Sequence, residues 1–443
     1  MLDHKQKVES WGRTIQVSQR SIPLFWQPNE LPSLNLNESF LPFGEGRSYG
    51  DSCLNAGGVL LKTRGMSRFI EFDESQGILR CEAGVRLDEI LELTLPKGWF
   101  IPVTPGTQFV TLGGAIANDV HGKNHHVAGT FGRYVRKMEL LRSDGKRWVC
   151  SSMENPELFE ATIAGLGLTG LILWAEIQMK PVSGPWINQE TVRFNHVDDF
   201  FKISEDSETG YEYSVSWIDT LAQGKHLGRG HFMRGNHSAR RDAPMGQQTY
   251  MTIPVDAPDW LLNPITVRSF NCLYYRKQWS REKHQEVHYR PFFYPLDSIL
   301  AWNRLYGKRG FFQYQLVVPF KNDRGPIKEI LGLVAKSGMA SFLAVLKTFG
   351  NISSPGMLSF PREGVTLALD FPNQGAKTIR LFQSLDEIVR QSGGALYPAK
   401  DAQMWADDFK KFYPKWKDFQ KWVDPLFSSS FWRRVTDEKA GHE

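Results

Sequence analysis

Pro42-Phe-Gly-Glu-Gly-Arg-Ser-Tyr-Gly-Asp51 is the stretch on which the reading of this chain turns. Three readings compete for it. A dinucleotide fingerprint needs G-x-G-x-x-G between a strand and a helix. The spacing here is G-x-G-x-x-x-G, with no strand expected before it and no helix after it. Residues 46–50 also spell G-x-S-x-G, the nucleophile elbow of an α/β-hydrolase with Ser48 as nucleophile. That elbow sits between a strand and a helix, whereas 51–58, with Asn55 and two glycines, reads as loop. The third reading is a run of backbone N–H groups curled around a diphosphate, an anion nest. A plain structural turn needs fewer special residues than these ten positions hold.

Working outward, glycine is concentrated around this stretch: of 39 glycines, 19 fall between 41 and 170. Glycine gathers where backbone turns with positive φ or approaches a ligand closely, so a cofactor is sought in this part of the chain. Strands are expected at 59–62, 68–72 and 78–82. Leu87, Ile90, Leu91 and Leu95 recur at helical spacing, closed by Pro96 and Gly98. Residues 135–142 and 146–150 flank Asp144-Gly145 as a hairpin, 156–163 reads as a helix and 171–180 as a strand. This order predicts an α+β fold, without the rhythm of a doubly wound parallel sheet.

From about Val182 the texture changes. Strands are expected at 211–218, 311–318, 341–347 and 365–371, and a helix at 377–391 ends at Gly393-Gly394. Between 224 and 250, Lys225, Arg229, Arg234, Arg240 and Arg241 mix with histidines and glycines, which reads as a long mobile loop. The tail, 395–443, holds four of the 14 tryptophans, with a helix expected at 402–411.

The 443 residues allow two or three domains, and 41% apolar with 23% charged residues is ordinary for a globular protein. A formal charge of +5 is too mild to call for a nucleic-acid partner. No apolar run is long enough for a membrane span, and the charged first residues resemble no signal peptide. Cys53, Cys81, Cys150 and Cys272 lie too far apart for a disulfide framework or a zinc site. A cytoplasmic protein is the expectation.

Two further loops follow the first, Pro105-Gly-Thr107 and Thr111-Leu-Gly-Gly-Ala115. The second opens a helix whose small residues let backbone approach a phosphate or a flat ring. Asn118-Asp-Val-His-Gly-Lys-Asn-His-His126 is rich in histidine, but its spacing matches no common metal site. His284-Gln-Glu-Val-His288 is not H-E-x-x-H, because the glutamate is misplaced. No metal is expected.

Taken in order, Gly46-Arg-Ser-Tyr-Gly-Asp51, Pro105-Gly-Thr107, Gly113-Gly-Ala-Ile-Ala117, His121-Gly-Lys-Asn-His-His126 and Gly167-Leu-Thr-Gly170 resemble the FAD flavoproteins of the vanillyl-alcohol oxidase (PCMH) type. Later segments are similar to the branch of that family acting on decaprenylphosphoryl-ribose. They are Trp302-Asn-Arg-Leu-Tyr-Gly307, Phe312-Gln-Tyr-Gln315, Lys347-Thr-Phe-Gly350, Asp370-Phe-Pro372, Tyr397-Pro-Ala-Lys-Asp401 and Val423-Asp-Pro425. The resemblance covers most of the chain and thins at the N-terminus and across 224–281.

The resemblance implies a two-domain architecture: an FAD domain built from 1–182 and 395–443, with an antiparallel-sheet substrate domain, 183–394, inserted between them. It implies FAD contacts at Phe43, Gly44, Gly46, Arg47, Ser48, Tyr49, Gly50, Asp51, Pro105, Gly106, Thr107, Thr111, Gly113, Gly114, Asn118, Asp119, His121, Gly122, Ile172 and Tyr397. Arg47 stands where related oxidases carry the histidine that tethers flavin, so the FAD is expected to be non-covalent. Tyr49, Tyr306, Gln313, Gln315, Lys347, Phe349, Thr366, Ala368 and Lys400 are implied on the substrate side. Actinobacterial relatives place Asn and Cys where Thr366 and Ala368 stand, the cysteine being the thiol that covalent nitroaromatic inhibitors trap.

Oxidising a secondary alcohol on FAD needs a base or cation to manage the hydroxyl proton, and the resemblance gives that role to Lys400 and His121. Read alone, Lys400 is a surface lysine beside Asp401 and His121 a polar loop residue. The implied reaction converts the 2′-hydroxyl of a prenylphospho-β-D-ribofuranose to the 2′-ketone. A separate NAD(P)-dependent reductase then completes the epimerisation that yields an arabinose donor for cell-wall synthesis. The rivals are the same fold acting on a free sugar, alditol or aldonolactone, the Ser48 hydrolase, and a flavin-binding scaffold without activity. A lipid substrate also implies peripheral contact with the inner membrane, through the basic residues 225–241 or the Trp/Lys-rich 405–422.

Overall fold

The structure, a computed structural model, describes residues 5–242, 250–258, 260–320, 324–339 and 341–436. Among them, no helix is long and apolar enough to cross a membrane. A four-stranded sheet runs in the order Lys5–Glu9, Gln16–Pro23, Val59–Lys62, Phe40–Phe43, with Val59–Lys62 parallel to both neighbours. A five-stranded antiparallel sheet follows, ordered Phe69–Asp73, Ile78–Glu82, Leu171–Gln178, Val135–Leu141, Arg147–Ser151. The largest sheet has eight strands, ordered Glu282–His288, Trp186–Phe194, Gly230–His237, Tyr213–Ile218, Ala344–Phe349, Gly364–Pro372, Phe311–Val318, Ala395–Leu396. Every pairing in it is antiparallel. The α+β reading agrees with this mix of helices and antiparallel sheets.

Helices Val197–Ser207, Gly325–Ser337 and Ala376–Gln391 cover one face of the large sheet. Phe200, Ile330, Leu385 and Val389 meet Leu316, Leu346 and Leu367 there, all of them buried. Alternation then dictates what the other face carries. Along Phe311–Val318, Phe312, Tyr314 and Leu316 enter the helical core, which turns Gln313 and Gln315 the opposite way.

Several expectations are corrected. The supposed mobile loop contains a central strand, Gly230–His237, paired on both sides. Its polar residues hide the strand pattern because charge pairing holds them: Arg229 meets Asp219 at 2.9 Å, Arg234 meets Glu190 at 2.6 Å and Arg240 meets Glu286 at 3.0 Å. Residues 243–249 of that stretch lie outside the described residues, as do 437–443 of the tail. The glycine-rich loop is preceded by a strand after all, Phe40–Phe43, too short and too Pro-interrupted to read from the sequence. Only a single 3-10 turn, Asp51–Cys53, follows the loop, so the hydrolase elbow still lacks its helix. The helix expected at 402–411 starts at Ala406, because the Asp401 carboxylate accepts the N–H groups of Gln403 and Met404 and holds a turn ahead of it.

Candidate active site

Period-two alternation on three adjacent strands builds the floor of the site. Gln313 and Gln315, then Thr366, Ala368 and Asp370, then Val345 and Lys347 share the face turned away from the helices. The register sets Gln313 opposite Asp370, Gln315 opposite Ala368 and Lys347 opposite Thr366. Above them the glycine loops close a cavity of about 890 Å³.

The first loop leaves strand Phe40–Phe43 and turns at Gly46, whose φ of +60° suits only glycine without strain. Gly50 lies so close to the loop bearing Lys400 that a Cβ would stand 1.7 Å from the Asp401 carbonyl oxygen. Arg434 reinforces that junction: its Nη2 donates to Asp51 Oδ1 at 2.7 Å and to Asp401 Oδ2 at 2.9 Å. The backbone N–H groups of Gly44, Glu45, Gly46, Arg47 and Ser48 have no acceptor among the described residues. Successive free donors beside a cavity form a cradle for an anion, and they fit a diphosphate. The third loop adds helix Leu112–Ala117, capped by the Thr111 hydroxyl, which accepts the Gly114 N–H at 3.2 Å. The residues present therefore fit FAD.

Lys400 is half-buried, its Nζ 3.9 Å above the centre of the Tyr49 ring. Burial pulls its ammonium down to about 7, opposed by the charge of Asp370. Burial likewise pushes the Asp370 carboxyl up to about 7, opposed by its hydrogen bond from Gln313 and by Lys400. Gln313 Nε2 donates to Asp370 Oδ1 at 2.6 Å, while Oδ2 is buried with no partner among the described residues. The charges of Asp370 and Lys400 each oppose the effect of the other's burial, with no ion pair between the two among the described residues.

His121 sits among Phe349, Phe360 and Tyr397, at ring distances of 5.0, 5.7 and 5.2 Å. Burial first, then the charge of Lys347, hold its pKa well below the usual histidine range, so the imidazole is neutral. Gln315 Nε2 donates to His121 Nε2 at 3.0 Å. That amide orientation leaves the ring proton on Nδ1, which is buried without an acceptor among the described residues. His121 is thus equipped to donate a hydrogen bond rather than to take a proton.

Two more lysines face the cavity. Lys347 Nζ donates to the Gly122 carbonyl at 2.9 Å, and burial with the charges of Lys123 and Lys400 pulls it down to about 7. Lys123 reaches the Phe293 carbonyl at 3.4 Å, and burial pulls it down to about 8. Neither has a carboxylate partner among the described residues. Asp297, pushed by burial up to about 6, lines the wall and accepts the Gln108 N–H at 2.8 Å.

Most residues expected at the site line this one cavity. The exceptions are Gly50, Asp51, Asp119, Tyr306 and Phe349. Asp51 is held by Arg434. Asp119 accepts the Gly132 N–H at 2.8 Å and the hydroxyls of Ser354 and Ser359. Tyr306 stacks on Phe311 behind Tyr49, at 4.2 Å between ring centres, and Phe349 backs His121. Lys123, Asp370 and Asp297 also line the cavity and carried no assigned role in the sequence. Lys123 stands two positions after His121, and Asp370 continues the alternation of Thr366 and Ala368, so both carried a signal; Asp297 carried none. Of the histidines of 121–126, His121 and His125 both pack on Phe349, at 5.0 and 4.5 Å, while His126 Nε2 turns away to the Tyr211 carbonyl at 3.0 Å. Away from the cavity, ligand atoms of Glu190, Glu282 and His284 lie within 4.8 Å of one another, but Arg234 and Tyr211 already occupy Glu190.

Comparison with known proteins follows the same lines. A family described as an FAD binding domain matches residues 35–151. Over 409 residues the chain is 37% identical to the decaprenylphosphoryl-beta-D-ribose oxidase of Mycolicibacterium smegmatis, covering 88% of each chain. It is 24% identical over 183 residues to the D-arabinono-1,4-lactone oxidase of Kluyveromyces lactis, covering 39% of this chain and 34% of that one. A match to the human Delta(24)-sterol reductase is 31% identical over 112 residues, 25% of this chain and 22% of the other.

Proposed function

Since the chain belongs to the decaprenylphosphoryl-β-D-ribose oxidase family of FAD-dependent oxidoreductases, we propose that it oxidises the 2′-hydroxyl of a prenylphospho-β-D-ribofuranose to the 2′-ketone. The product is the keto intermediate of an epimerisation that a separate NAD(P)-dependent reductase completes. FAD supplies the two-electron acceptor for this step. The domain division that suits the reading is an FAD part from 1–182 and 395–443 and a substrate part from 183–394.

The observation that carries the substrate class is the set of half-buried lysines. Lys123 and Lys347 face the cavity without a carboxylate partner among the described residues. A neutral sugar leaves two half-buried amines without a counter-charge, whereas a phosphodiester supplies one and favours their protonated forms. Gln313, Gln315 and Thr366 offer hydrogen bonds to sugar hydroxyls, and Tyr49 offers an aromatic face.

In this reading Lys400 is the base. Its Nζ accepts the 2′-hydroxyl proton, which a lysine held near neutrality does readily, and Asp370 stabilises the ammonium so formed. His121 stays neutral and its Nε2 accepts from Gln315, which it holds toward the sugar. Arg47, stacked 4.2 Å over Trp11, lies along the glycine loop, and the FAD it accompanies is held without a covalent bond. Acid or heat denaturation should therefore release free flavin into the supernatant; flavin retained on the polypeptide refutes that point.

Anaerobic mixing of the purified flavoprotein with a prenylphospho-ribose, followed by flavin absorbance, tests the whole reading. Bleaching by the lipid-linked sugar is expected. Bleaching by free ribose, arabitol or an arabinono-lactone alone would assign the site to free sugars.

A further inference from the structure

We propose that the outward face of helix Pro264–Arg276, with Trp260 and Trp279 at its two ends, docks the protein on an anionic lipid bilayer. The helix is built inside out. Asn263 caps it by accepting the N–H groups of Ile265 and Thr266 at 2.8 and 3.1 Å. Its inward stripe is Val267, Asn271 and Tyr275, fixed by polar bonds: Asn271 Nδ2 donates to Asp219 Oδ1 at 3.0 Å and the Tyr275 hydroxyl to Asn195 Oδ1 at 2.7 Å. The apolar residues point outward instead, with Ile265 77% exposed, Leu273 71%, Phe270 43%, Trp260 70% and Trp279 88%. A soluble helix turns such residues to its core, and a clustered patch of them marks a surface that is covered by something.

Charge selects the partner. Residues 260–281 contain Arg268, Arg276, Lys277 and Arg281 and no acid. None of the four has a carboxylate partner among the described residues; Lys277 lies over the Tyr274 ring at 3.4 Å. Tryptophan and phenylalanine among unpaired cations suit the headgroup region of an anionic membrane. The two regions expected from the sequence fit less well: Arg229, Arg234 and Arg240, three of the five Lys and Arg side chains of 225–241, are drawn into ion pairs, and of the tail tryptophans described only Trp405 is exposed, at 41%.

The patch is continuous with the cavity. Phe270 and Tyr274 are wall residues of the cavity as well as members of this helix. Phe270 stacks on Tyr274 at 5.8 Å and meets Phe342 edge-on at 5.7 Å, while Tyr274 lies 4.5 Å from Trp217. An aromatic wall thus leads from the membrane-facing side to the site, a route for a prenyl chain whose head is being oxidised. This last point rests on the function proposed above; the docking itself does not.

Flotation of the flavin-loaded protein with vesicles of phosphatidylethanolamine and phosphatidylglycerol tests it, against phosphatidylcholine vesicles and in low and high salt. Salt-sensitive binding to the anionic vesicles is expected. The triple variant Ile265→Ser, Leu273→Ser, Trp279→Ser, none of whose positions lines the cavity, should lose roughly tenfold or more of that binding while keeping its flavin spectrum. Arg268→Glu with Arg276→Glu should weaken the binding and flatten its salt dependence. No binding by the wild type, or equal binding by the triple variant, overturns the proposal. So does sedimentation of the wild type as a dimer that the same substitutions dissolve, which would make the patch a contact between copies. Failure of the functional reading shows separately, as no flavin reduction by detergent-dispersed prenylphospho-ribose, since flotation requires no substrate.

Discussion

The ammonium of Lys400 and the ring of Tyr49 stand face to face, 3.9 Å from nitrogen to ring centre, at the seam between the glycine loop and the strand floor. Burial disfavours the protonated lysine and the charge of Asp370 favours it, and the balance falls at about 7. A lysine in that state can accept a proton and release it again within one turnover.

Lys400→Ala should keep FAD bound, because the cofactor cradle is made of backbone N–H groups from another loop. Flavin reduction by substrate should slow by roughly two to four orders of magnitude, the usual scale for losing an acid–base group. Anaerobic stopped-flow absorbance measures this step. Reduction at the wild-type rate would return Lys400 to a packing role.

The same step should depend on pH in a stated direction. Burial lowers the Lys400 pKa to about 7, so its neutral form takes over as pH rises through that value and the reduction rate should climb to a plateau. Asp370 titrates in the same range, so the limb belongs to the pair. The Asp370 charge holds the Lys400 value up, and Asp370→Asn should therefore move the limb to lower pH. A limb that stays or moves upward contradicts the pairing.

Ala368 lies opposite Gln315 and Val345 on the cavity floor. Ala368→Cys should place a thiol there that a small alkylating reagent modifies and that bound substrate protects, with mass spectrometry locating the adduct. The natural thiol on the wall, Cys53, is pushed by burial up to about 12 and should stay unmodified. Labelling at Cys53 in preference to the new cysteine would contradict this view of the floor.

Asp119 should prove structural. Asp119→Ala strips the Gly132 N–H and the hydroxyls of Ser354 and Ser359 of their shared acceptor, a loss of about 3 kcal/mol in stability. Thermal unfolding should show a lower midpoint with an unchanged flavin spectrum. Weaker flavin binding without lost stability would move Asp119 back to the cofactor.

The glycine loops and the strands of the floor were legible because their signals are local: φ-permissive residues in one case, alternation in the other. Alternation pairs Gln313 with Gln315 and Thr366 with Ala368 within each strand, while the family resemblance is what assigned them to the substrate side. The burial of Lys400 could not, since its partner Asp370 comes from a strand 30 positions earlier and burial is a property of the assembled sheet. Gly230–His237 was unreadable for a related reason: its Arg234 is neutralised by Glu190, and the flanking Arg229 and Arg240 by Asp219 and Glu286, from other segments. Helix Pro264–Arg276 escaped because its inward stripe is partly polar and its outward face apolar, the reverse of the pattern by which such helices are recognised.

Arg434 joins Asp51 and Asp401, and 383 positions separate it from the first of them. A growing polypeptide therefore exposes its glycine loop early and completes the fastening of that loop only when helix Ser430–Thr436 emerges from the ribosome. A chain that stalls before that helix lacks both ion pairs of Arg434, and its glycine loop meets the Lys400 loop through the hydrogen bond from the Tyr49 N–H to the Ala399 carbonyl, at 2.9 Å.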